Sequence, residues 1–221
     1  MSECKMEITS KTAFEAWKKA LSFVLINGEE FNDDGRICKE VPNLSICILN
    51  PSKGIKEPIE ELRKFKKWVY PPIEEIREIA LEKNSNPAYS YSYGTRIFNF
   101  QGKIDQINDY IIPLLKNNSY SRRGVVSLWD PHSDSITYKK DVPSLISVDF
   151  LIRDGKLNTT YYIRSNDIFF GFPANVYQLF IIQKYVADQL NVPIGSLTVF
   201  SASAHIFDDQ VESIQEVLKS D

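Results

Sequence analysis

The sequence predicts one α+β domain, residues 1–221, in which helices pack against a mainly antiparallel or mixed sheet. Apolar residues recur at helical spacing in several segments and alternate in others, and these segments follow one another without a repeat. An Asp-Gly pair at residues 154 and 155 joins two alternating segments, which strongly indicates a hairpin. With 43% hydrophobic residues, a chain of this length can bury a substantial core.

Several segments have the apolar spacing of helices. The first covers residues 11–25, with Thr12 as a candidate cap. Residues 58–83 predict one or two amphipathic helices, broken at Pro71-Pro72 because proline cannot donate the hydrogen bond that a helix interior requires. Further helices are expected at residues 102–117, with Ile104, Ile107, Ile111 and Leu114 on one face, at 175–192, ending before Pro193, and at the C-terminus.

Strands are predicted where apolar residues alternate or run together between turn-forming residues. Residues 27–36 predict a loop that contains Arg36 and leads into a strand at 43–50. A second loop is expected at residues 84–94. The remaining strands are expected as a buried strand within 122–130, as the hairpin between 144 and 167, and at 196–207.

Composition and charge exclude several classes of protein. The 26 basic and 29 acidic residues give a net charge of -3 without a long basic tract, which argues against binding of a nucleic acid polymer but allows a local phosphate site. Charges interrupt the apolar positions of the N-terminus, and no segment is apolar enough to span a membrane, so we expect a cytoplasmic protein. Cys4, Cys38 and Cys47 lack the paired spacing of a metal site, and no metal is expected.

Polar residues surround the apolar run that precedes the long helix. Arg164, Ser165 and Asp167 come directly before it and Asn175 follows it, and each would need a partner if buried. In a purely structural interpretation, Arg164 pairs with Asp167 and Asn175 caps the helix. In a functional interpretation, Arg164 and Ser165 bind an anion, which the Arg122-Arg123 pair could join, and the Asn175 amide binds one edge of a planar ring.

Four motifs in this order resemble a known family: "RRGVVSLWDP", "DFLIRDGKL", "YYIRSNDIFFGFPANVY" and "SAHIF". Their order and spacing are similar to those of the thymidylate synthase and deoxycytidylate hydroxymethylase family, and in particular to its short archaeal-type members. The resemblance covers roughly residues 90–210. It implies a thymidylate synthase-like fold, a pyrimidine nucleoside monophosphate as substrate, methylene-tetrahydrofolate as one-carbon donor, and a two-fold homodimer.

The resemblance also implies roles for the arginines. Arg36 matches the mobile arginine that holds the nucleotide phosphate, and Arg164 with Ser165 matches the fixed phosphate ligands. Arg122 and Arg123 match the pair that crosses the dimer interface to the partner's phosphate, so that each site would be complete only in the dimer.

The base, the sugar and the catalytic centre have matches of their own. Asn175 resembles the asparagine that binds the base, and in the family this residue favours uracil, whereas hydroxymethylases acting on cytosine typically carry aspartate. The other matches are Asp167 near the base, His205 at the sugar 3′-hydroxyl, Tyr93 near the catalytic centre, and Glu75, or its neighbour Glu74, as the catalytic glutamate.

This chain departs from the family at four of the matching positions. The family's nucleophilic cysteine is Ser144 here, and an alcohol needs a strong adjacent base to approach the reactivity of a thiolate. The histidine that usually follows is Leu145, and the glutamine before the Arg-Ser motif is Ile163. Phe207 stands where the family has a tyrosine, which removes a hydrogen bond to the sugar and could relax the choice between deoxyribose and ribose.

Three explanations for Ser144 stay open at this stage. It could be an engineered replacement of cysteine, a natural serine in a divergent paralogue with altered one-carbon chemistry, or part of a catalytically silent nucleotide-binding protein. His132 could act as its base, although "WDPHSD" indicates a polar turn. The leading hypothesis is methyl or hydroxymethyl transfer to C5 of a pyrimidine monophosphate, and the alternative is a nucleotide-binding or nucleotide-processing protein without covalent catalysis.

Overall fold

A computed structural model describes residues 6–84 and 91–220, and in these ranges one mixed sheet organises the chain. Six strands follow in the order β1-β3-β8-β6-β5-β4, while β2 pairs with β3 and β7 with β8. The α+β prediction is confirmed. The strands are β1 (Glu7–Ser10), β2 (Glu29–Asp33), β3 (Arg36–Ile48), β4 (Val125–Ser127), β5 (Leu145–Arg153), β6 (Lys156–Ile163), β7 (Asn166–Asp167) and β8 (Ile194–Phe207).

The helices lie within or close to the segments predicted to be helical, but their first and last residues differ from the predicted ones. Thr12 caps the first one, because its side chain accepts a hydrogen bond from the backbone N–H of Glu15. The helices are α1 (Ala13–Asn27), α2 (Glu57–Leu62), α3 (Ile73–Leu81), α4 (Tyr93–Phe98), α5 (Ile112–Asn117), α6 (Pro131–Asp134), α7 (Gly171–Leu190) and α8 (Val211–Lys219). A π-helical turn at Gln106–Ile111 precedes α5.

Three local predictions are wrong. The expected loop at residues 27–36 is a hairpin of β2 and β3, whose turn at Asp34 and Gly35 has positive φ angles of 51° and 91°. The helix predicted at 102–117 begins only at Gln106, so Ile104 lies outside it. Ile104 forms a β-bridge with Phe100 instead, and its side chain is exposed. The predicted loop at 84–94 ends early, since α4 begins at Tyr93, and residues 85–90 lie outside the described ranges.

The strand predicted within 122–130 is an edge strand and only half-buried. Val126 faces the core, while Val125 and Ser127 are exposed. On the covered face of the sheet, Val126 aligns with a fully buried row of Val148, Tyr161, Val199 and Ile46. On the opposite face, Val125 aligns with a row of partly exposed residues, so the described helices cover one face of the sheet.

Buried apolar side chains from Ile8 to Val217 form one contiguous cluster. Trp17 on α1 belongs to it, and its indole N–H donates to the carbonyl oxygen of Ile168 at 2.7 Å. This bond ties the first helix to the segment just before α7. Within the described ranges, no helix is long and apolar enough to cross a membrane.

Candidate active site

Ser144, Tyr93 and Asn175 meet at one point, although they lie far apart in sequence. Ser144 directly precedes β5, Tyr93 is the first residue of α4, and Asn175 lies in the second turn of α7. The Tyr93 hydroxyl is 2.8 Å from Ser144 Oγ and donates to Asn175 Oδ1 at 3.3 Å. A single phenol therefore joins the residue expected at the nucleophile's position to the residue expected to bind the base.

The hydrogen bonds continue from Asn175 into the core through a residue that sequence reasoning missed. Asn175 Nδ2 donates to Asn166 Oδ1 at 3.4 Å, and Asn166 Nδ2 donates to Ser201 Oγ at 3.0 Å. Asn166 and Ser201 are both fully buried. The sequence contained little signal for Asn166, because it stands among polar neighbours, and only its burial shows that its amide requires partners.

Two tyrosines surround Ser144, and neither is suited to act as a base. Burial raises the pKa of Tyr93, and it also raises the pKa of Tyr91, whose phenol interacts with the Ser144 hydroxyl. Both phenols therefore stay protonated at neutral pH. His132, the other base considered, lies on the short helix α6 with an exposed side chain, and its backbone N–H donates to Asp130.

The arginine after β6 holds the loop that leads to Ser144. Arg164 Nε donates to the carbonyl oxygen of Pro143 at 3.0 Å, and Nη2 donates to that of Val142 at 3.1 Å. Its backbone N–H bonds the carbonyl oxygen of Ser144 at 2.8 Å. Arg164 therefore does not form the pair with Asp167 that the purely structural interpretation requires, because its Nε and Nη2 donate to backbone carbonyls instead.

Asp167 instead holds the turn that leads into α7. Its Oδ1 accepts from the backbone N–H groups of Phe169 and Phe170, and its Oδ2 accepts from Gln210 Nε2 at 2.9 Å. The helix begins at Gly171, so Asn175 lies inside α7 and does not cap it as the purely structural interpretation requires. Tyr70, which the sequence did not single out, completes the first turns by accepting from Ala174 N and donating to Phe170 O.

A second cluster contains Arg36, His205 and Phe207. The Arg36 guanidinium lies 3.6 Å from the centre of the Phe207 ring and pairs with Asp209 at 2.9 Å. The Phe207 ring packs edge-on against His205, whose Nδ1 lies 3.3 Å from Ser203 Oγ. Ser203 N in turn donates to the Arg164 carbonyl, so strand β8 connects this cluster with the one around Ser144.

The family model described as thymidylate synthase matches residues 55–221 of this chain. The chain belongs to the thymidylate synthase family. A protein of Methanosarcina barkeri named "Putative thymidylate synthase" is 33% identical over 213 residues, which cover 96% of this chain and 94% of the relative. A protein of the same name from Methanothermobacter marburgensis is 32% identical and covers 97% and 98%. Thymidylate synthase 1 of Bacillus spizizenii is 30% identical over 58% of this chain and 45% of its own length.

Two departures from the thymidylate synthase pattern are neighbours in the sheet. Leu145 on β5 and Ile163 on β6 are directly paired, and both side chains are fully buried. These are the two positions at which the resemblance predicts a histidine and a glutamine, and in this chain both side chains contact the core. The packing directly beside Ser144 is therefore apolar.

A pocket of about 390 Å³ opens next to Asn175 and Tyr93. Pro71, Ile76, Ile79 and Tyr91 give it apolar walls, while Asp141 and Gln178 add polar groups. Glu74 and Glu75 do not line this pocket; they lie on a neighbouring cleft along α3 that shares Ile79 with it.

Arg122 and Arg123 do not reach the other predicted phosphate ligands within one chain. Both are exposed in the segment just before β4, and the row of Val125 passes through Asp149 and Thr160. Thr160 lies across the sheet from Val125, two strands away, which is about 10 Å at typical strand spacing. Arg164 lies a further ~13 Å beyond Thr160 in the strand direction of β6. The thymidylate synthase-like chain therefore separates these two arginines from Arg164.

Proposed function

We propose that this chain binds a pyrimidine nucleoside 5′-monophosphate beside Ser144 and transfers a one-carbon unit, as methyl or hydroxymethyl, to C5 of the base. The observation that carries the proposal is the convergence of Ser144, Tyr93 and Asn175 on one hydrogen-bond chain at the edge of a pocket. Membership of the thymidylate synthase family supports the same reaction class.

The phosphate would be held by arginines from two directions. Arg164, with Ser165 beside it, is oriented by the carbonyl groups of Val142 and Pro143, so a bound phosphate meets a preorganised guanidinium. Arg36 would exchange its exposed pairing with Asp209 for the phosphate. His205 would bind the sugar, and Phe207, which lacks a hydroxyl, would leave the choice between deoxyribose and ribose less strict.

A homodimer would complete the phosphate site. Arg122 and Arg123 are too far from Arg164 in their own chain, which supports a role toward a partner's nucleotide. The sheet face that the described helices leave uncovered supports the same arrangement, since Tyr162 and Phe200 stack there with ring centres 5.5 Å apart and Tyr162 is 39% exposed. A second copy of the chain on this face would bury these rings.

The apolar pocket would hold the pterin ring system of methylene-tetrahydrofolate, the one-carbon donor of the family, and its apolar walls support this assignment. Ile76, Ile79 and Tyr91 would contact the flat ring, and Asp141 and Gln178 would accept from or donate to its polar edge. When bound, the cofactor supplies a carbon at the oxidation level of formaldehyde, which gives hydroxymethyl with water, and for the methyl product it also supplies the hydride that reduces this carbon, so that tetrahydrofolate is oxidised to dihydrofolate. Asp167 would act by holding the start of α7, and Glu75 would need to turn from its cleft toward the pocket.

Ser144 determines how fast such a reaction can be. Addition of its oxygen to C6 of the base requires loss of the hydroxyl proton, and the two phenols that reach it are themselves protonated. Ser144 would therefore orient the base through hydrogen bonds and add to C6 only slowly. This observation favours a second candidate function, binding or processing of the nucleotide without a covalent step.

Release of tritium from C5 distinguishes the two candidates. The protein is incubated with 5-tritiated deoxyuridylate, uridylate, deoxycytidylate and cytidylate, with and without methylene-tetrahydrofolate. We expect slow cofactor-dependent release from at least one nucleotide, faster release after Ser144→Cys, and none after Ser144→Ala. Complete absence of release in the natural chain and in Ser144→Cys, with nucleotide binding retained, would favour the non-covalent function.

A further inference from the structure

A tyrosine hydroxyl is inserted into the first turn of α7, directly beside the candidate active site. The Tyr70 hydroxyl accepts from the backbone N–H of Ala174 and donates to the carbonyl oxygen of Phe170, at 2.9 Å in both cases. These two backbone groups are four residues apart, which is the spacing at which an α-helix forms its own hydrogen bonds. The phenol therefore stands where the first backbone hydrogen bond of the helix would form.

This insertion widens the turn. Two hydrogen bonds through one roughly tetrahedral oxygen place the Ala174 nitrogen and the Phe170 oxygen about 4.7 Å apart, whereas a direct bond brings them to about 2.9 Å. A side chain inserted into the backbone ladder also bends a helix. The ring of Tyr70 is buried and packs edge-on against that of Phe170, with ring centres 5.0 Å apart, so the hydroxyl is held in place. Burial raises the pKa of Tyr70, so the phenol keeps the proton that it donates.

The width of this turn determines where the Asn175 amide lies, because Asn175 directly follows Ala174. The contacts of this amide in the site are long: its Oδ1 is 3.3 Å from the Tyr93 hydroxyl, and its Nδ2 is 3.4 Å from Asn166 Oδ1. Both distances lie beyond the usual range of hydrogen bonds, so a shift of about 1 Å would break these bonds. Closure of the first turn would therefore move Asn175 away from its partners.

Tyr70 also connects two elements that line the pocket beside Asn175. Pro71, the residue after Tyr70, lines this pocket and leads into α3, whose side chains form part of the wall. Ala174 and Asn175 line it from α7. The bonds of the Tyr70 hydroxyl therefore join the start of one lining element to the first turn of the other.

We propose that Tyr70 is a positioning residue of the candidate active site: its hydroxyl holds the first turn of α7 open and thereby places the Asn175 amide for the nucleotide. The inference rests on the proposed nucleotide site. Without the hydroxyl, the N–H of Ala174 and the carbonyl of Phe170 can bond each other directly, so neither group is left unpaired. The hydroxyl thus determines the position of Asn175, and the helix can form without it.

Tyr70→Phe tests this role, because it removes the hydroxyl and keeps the ring. Dissociation constants for deoxyuridylate and deoxycytidylate are measured by isothermal titration calorimetry, and melting temperatures by circular dichroism. For the nucleotide that the natural chain binds more tightly, we expect the constant to rise at least about fivefold, while the melting temperature stays within about 3 °C. With ¹⁵N-labelled alanine, the Ala174 amide signal should move, because its acceptor changes from a phenol to a carbonyl.

Tyr161→Phe is the matched control. Tyr161 is fully buried, and its hydroxyl donates to the carbonyl oxygen of Leu179 at 2.7 Å, in the middle of the same helix. This change also removes a buried phenol hydroxyl from α7, but away from the candidate active site. We expect its melting temperature to fall by about 2–4 °C and its dissociation constant to stay within about twofold of the natural one.

Several results would overturn the inference. One is an unchanged dissociation constant or an unmoved Ala174 signal in Tyr70→Phe, and another is an equal loss of affinity in Tyr161→Phe. A Tyr70→Phe chain that does not fold would overturn it as well, since the closed turn should replace the bonds of the phenol. Failure of the natural chain to bind either nucleotide would instead overturn the proposed function on which the inference rests.

Discussion

The helix that carries Tyr93 is anchored by a buried ion pair whose loss should be large and measurable. Arg96 on α4 donates to both carboxylate oxygens of Asp134, at 2.8 and 3.0 Å, and to the carbonyl oxygen of Leu128. The Asp134 side chain is 0% exposed and that of Arg96 is 15% exposed. Replacement of Arg96 by methionine would leave the Asp134 charge buried with weaker partners.

Removing one partner of a buried ion pair costs about 3–5 kcal/mol of unfolding free energy. Lys139 would still lie 3.4 Å from Asp134, and Asp130 N would still donate to it, so we expect the lower end of that range. At roughly 2–4 °C per kcal/mol for a chain of this size, the melting temperature of Arg96→Met should fall by about 6–12 °C.

Thermal unfolding followed by circular dichroism tests this value, with Lys184→Met as control. Lys184 pairs with Asp188 on the exposed side of α7, at 50% and 59% exposure, and such a pair contributes well below about 1 kcal/mol. We expect the control to lose less than about 3 °C. An equally small loss in Arg96→Met would refute the reasoning that this ion pair anchors α4.

Three further predictions follow from local geometry. In Gly94→Ala, the new Cβ would lie 2.5 Å from the Ile79 carbonyl oxygen, so α4, which carries Tyr93, must shift. We expect the nucleotide to bind more weakly when measured by calorimetry. Unchanged affinity would contradict this close packing. Burial would raise the pKa of Asp134, but hydrogen bonds from the Asp130 N–H and from Arg96 outweigh this effect and lower the pKa below 3.8. The stabilisation by the ionised carboxylate is therefore present above pH 3.8 and is lost as the pH falls through the lowered value. In acid titration, the free energy of unfolding of Arg96→Met should depend less steeply on pH. Burial raises the pKa of Cys38 to about 11, so a thiol reagent at pH 8 should label it only after unfolding; rapid labelling of Cys38 in the native chain, distinguished from Cys4 and Cys47 by peptide mass spectrometry, would contradict its burial.

The sequence predicted much of the architecture because its signals are local. Thr12 before an apolar face, the two prolines before Ile73 and the Asp-Gly pair each act within a few residues, and the structure has a cap, a break and a hairpin at these places. The β2–β3 hairpin was missed because β2 is exposed along its whole length, so it lacks the alternation that marks a half-buried strand.

The motifs identified the thymidylate synthase family, and with it the residues to look for around Ser144. Their spacing along the chain says which residue types recur, but it contains no information on partners that come from distant segments. Whether Arg164 pairs with Asp167 or with backbone carbonyls is one such question, and of the two interpretations that the sequence left open, the purely structural one was wrong. The deciding contacts join residues that are about twenty positions apart.

By itself, therefore, the sequence determined the family, the class of fold and the absence of cysteine at position 144. Only the tertiary structure decided that Tyr93 lies between Ser144 and Asn175, that buried Asn166 stands behind Asn175, and that Leu145 and Ile163 form an apolar pair. The physical reason is that hydrogen bonds and packing act over a few ångströms in space, whatever the separation of the residues in the chain. The chemistry of this site depends on such contacts between β5, α4, α7 and β8.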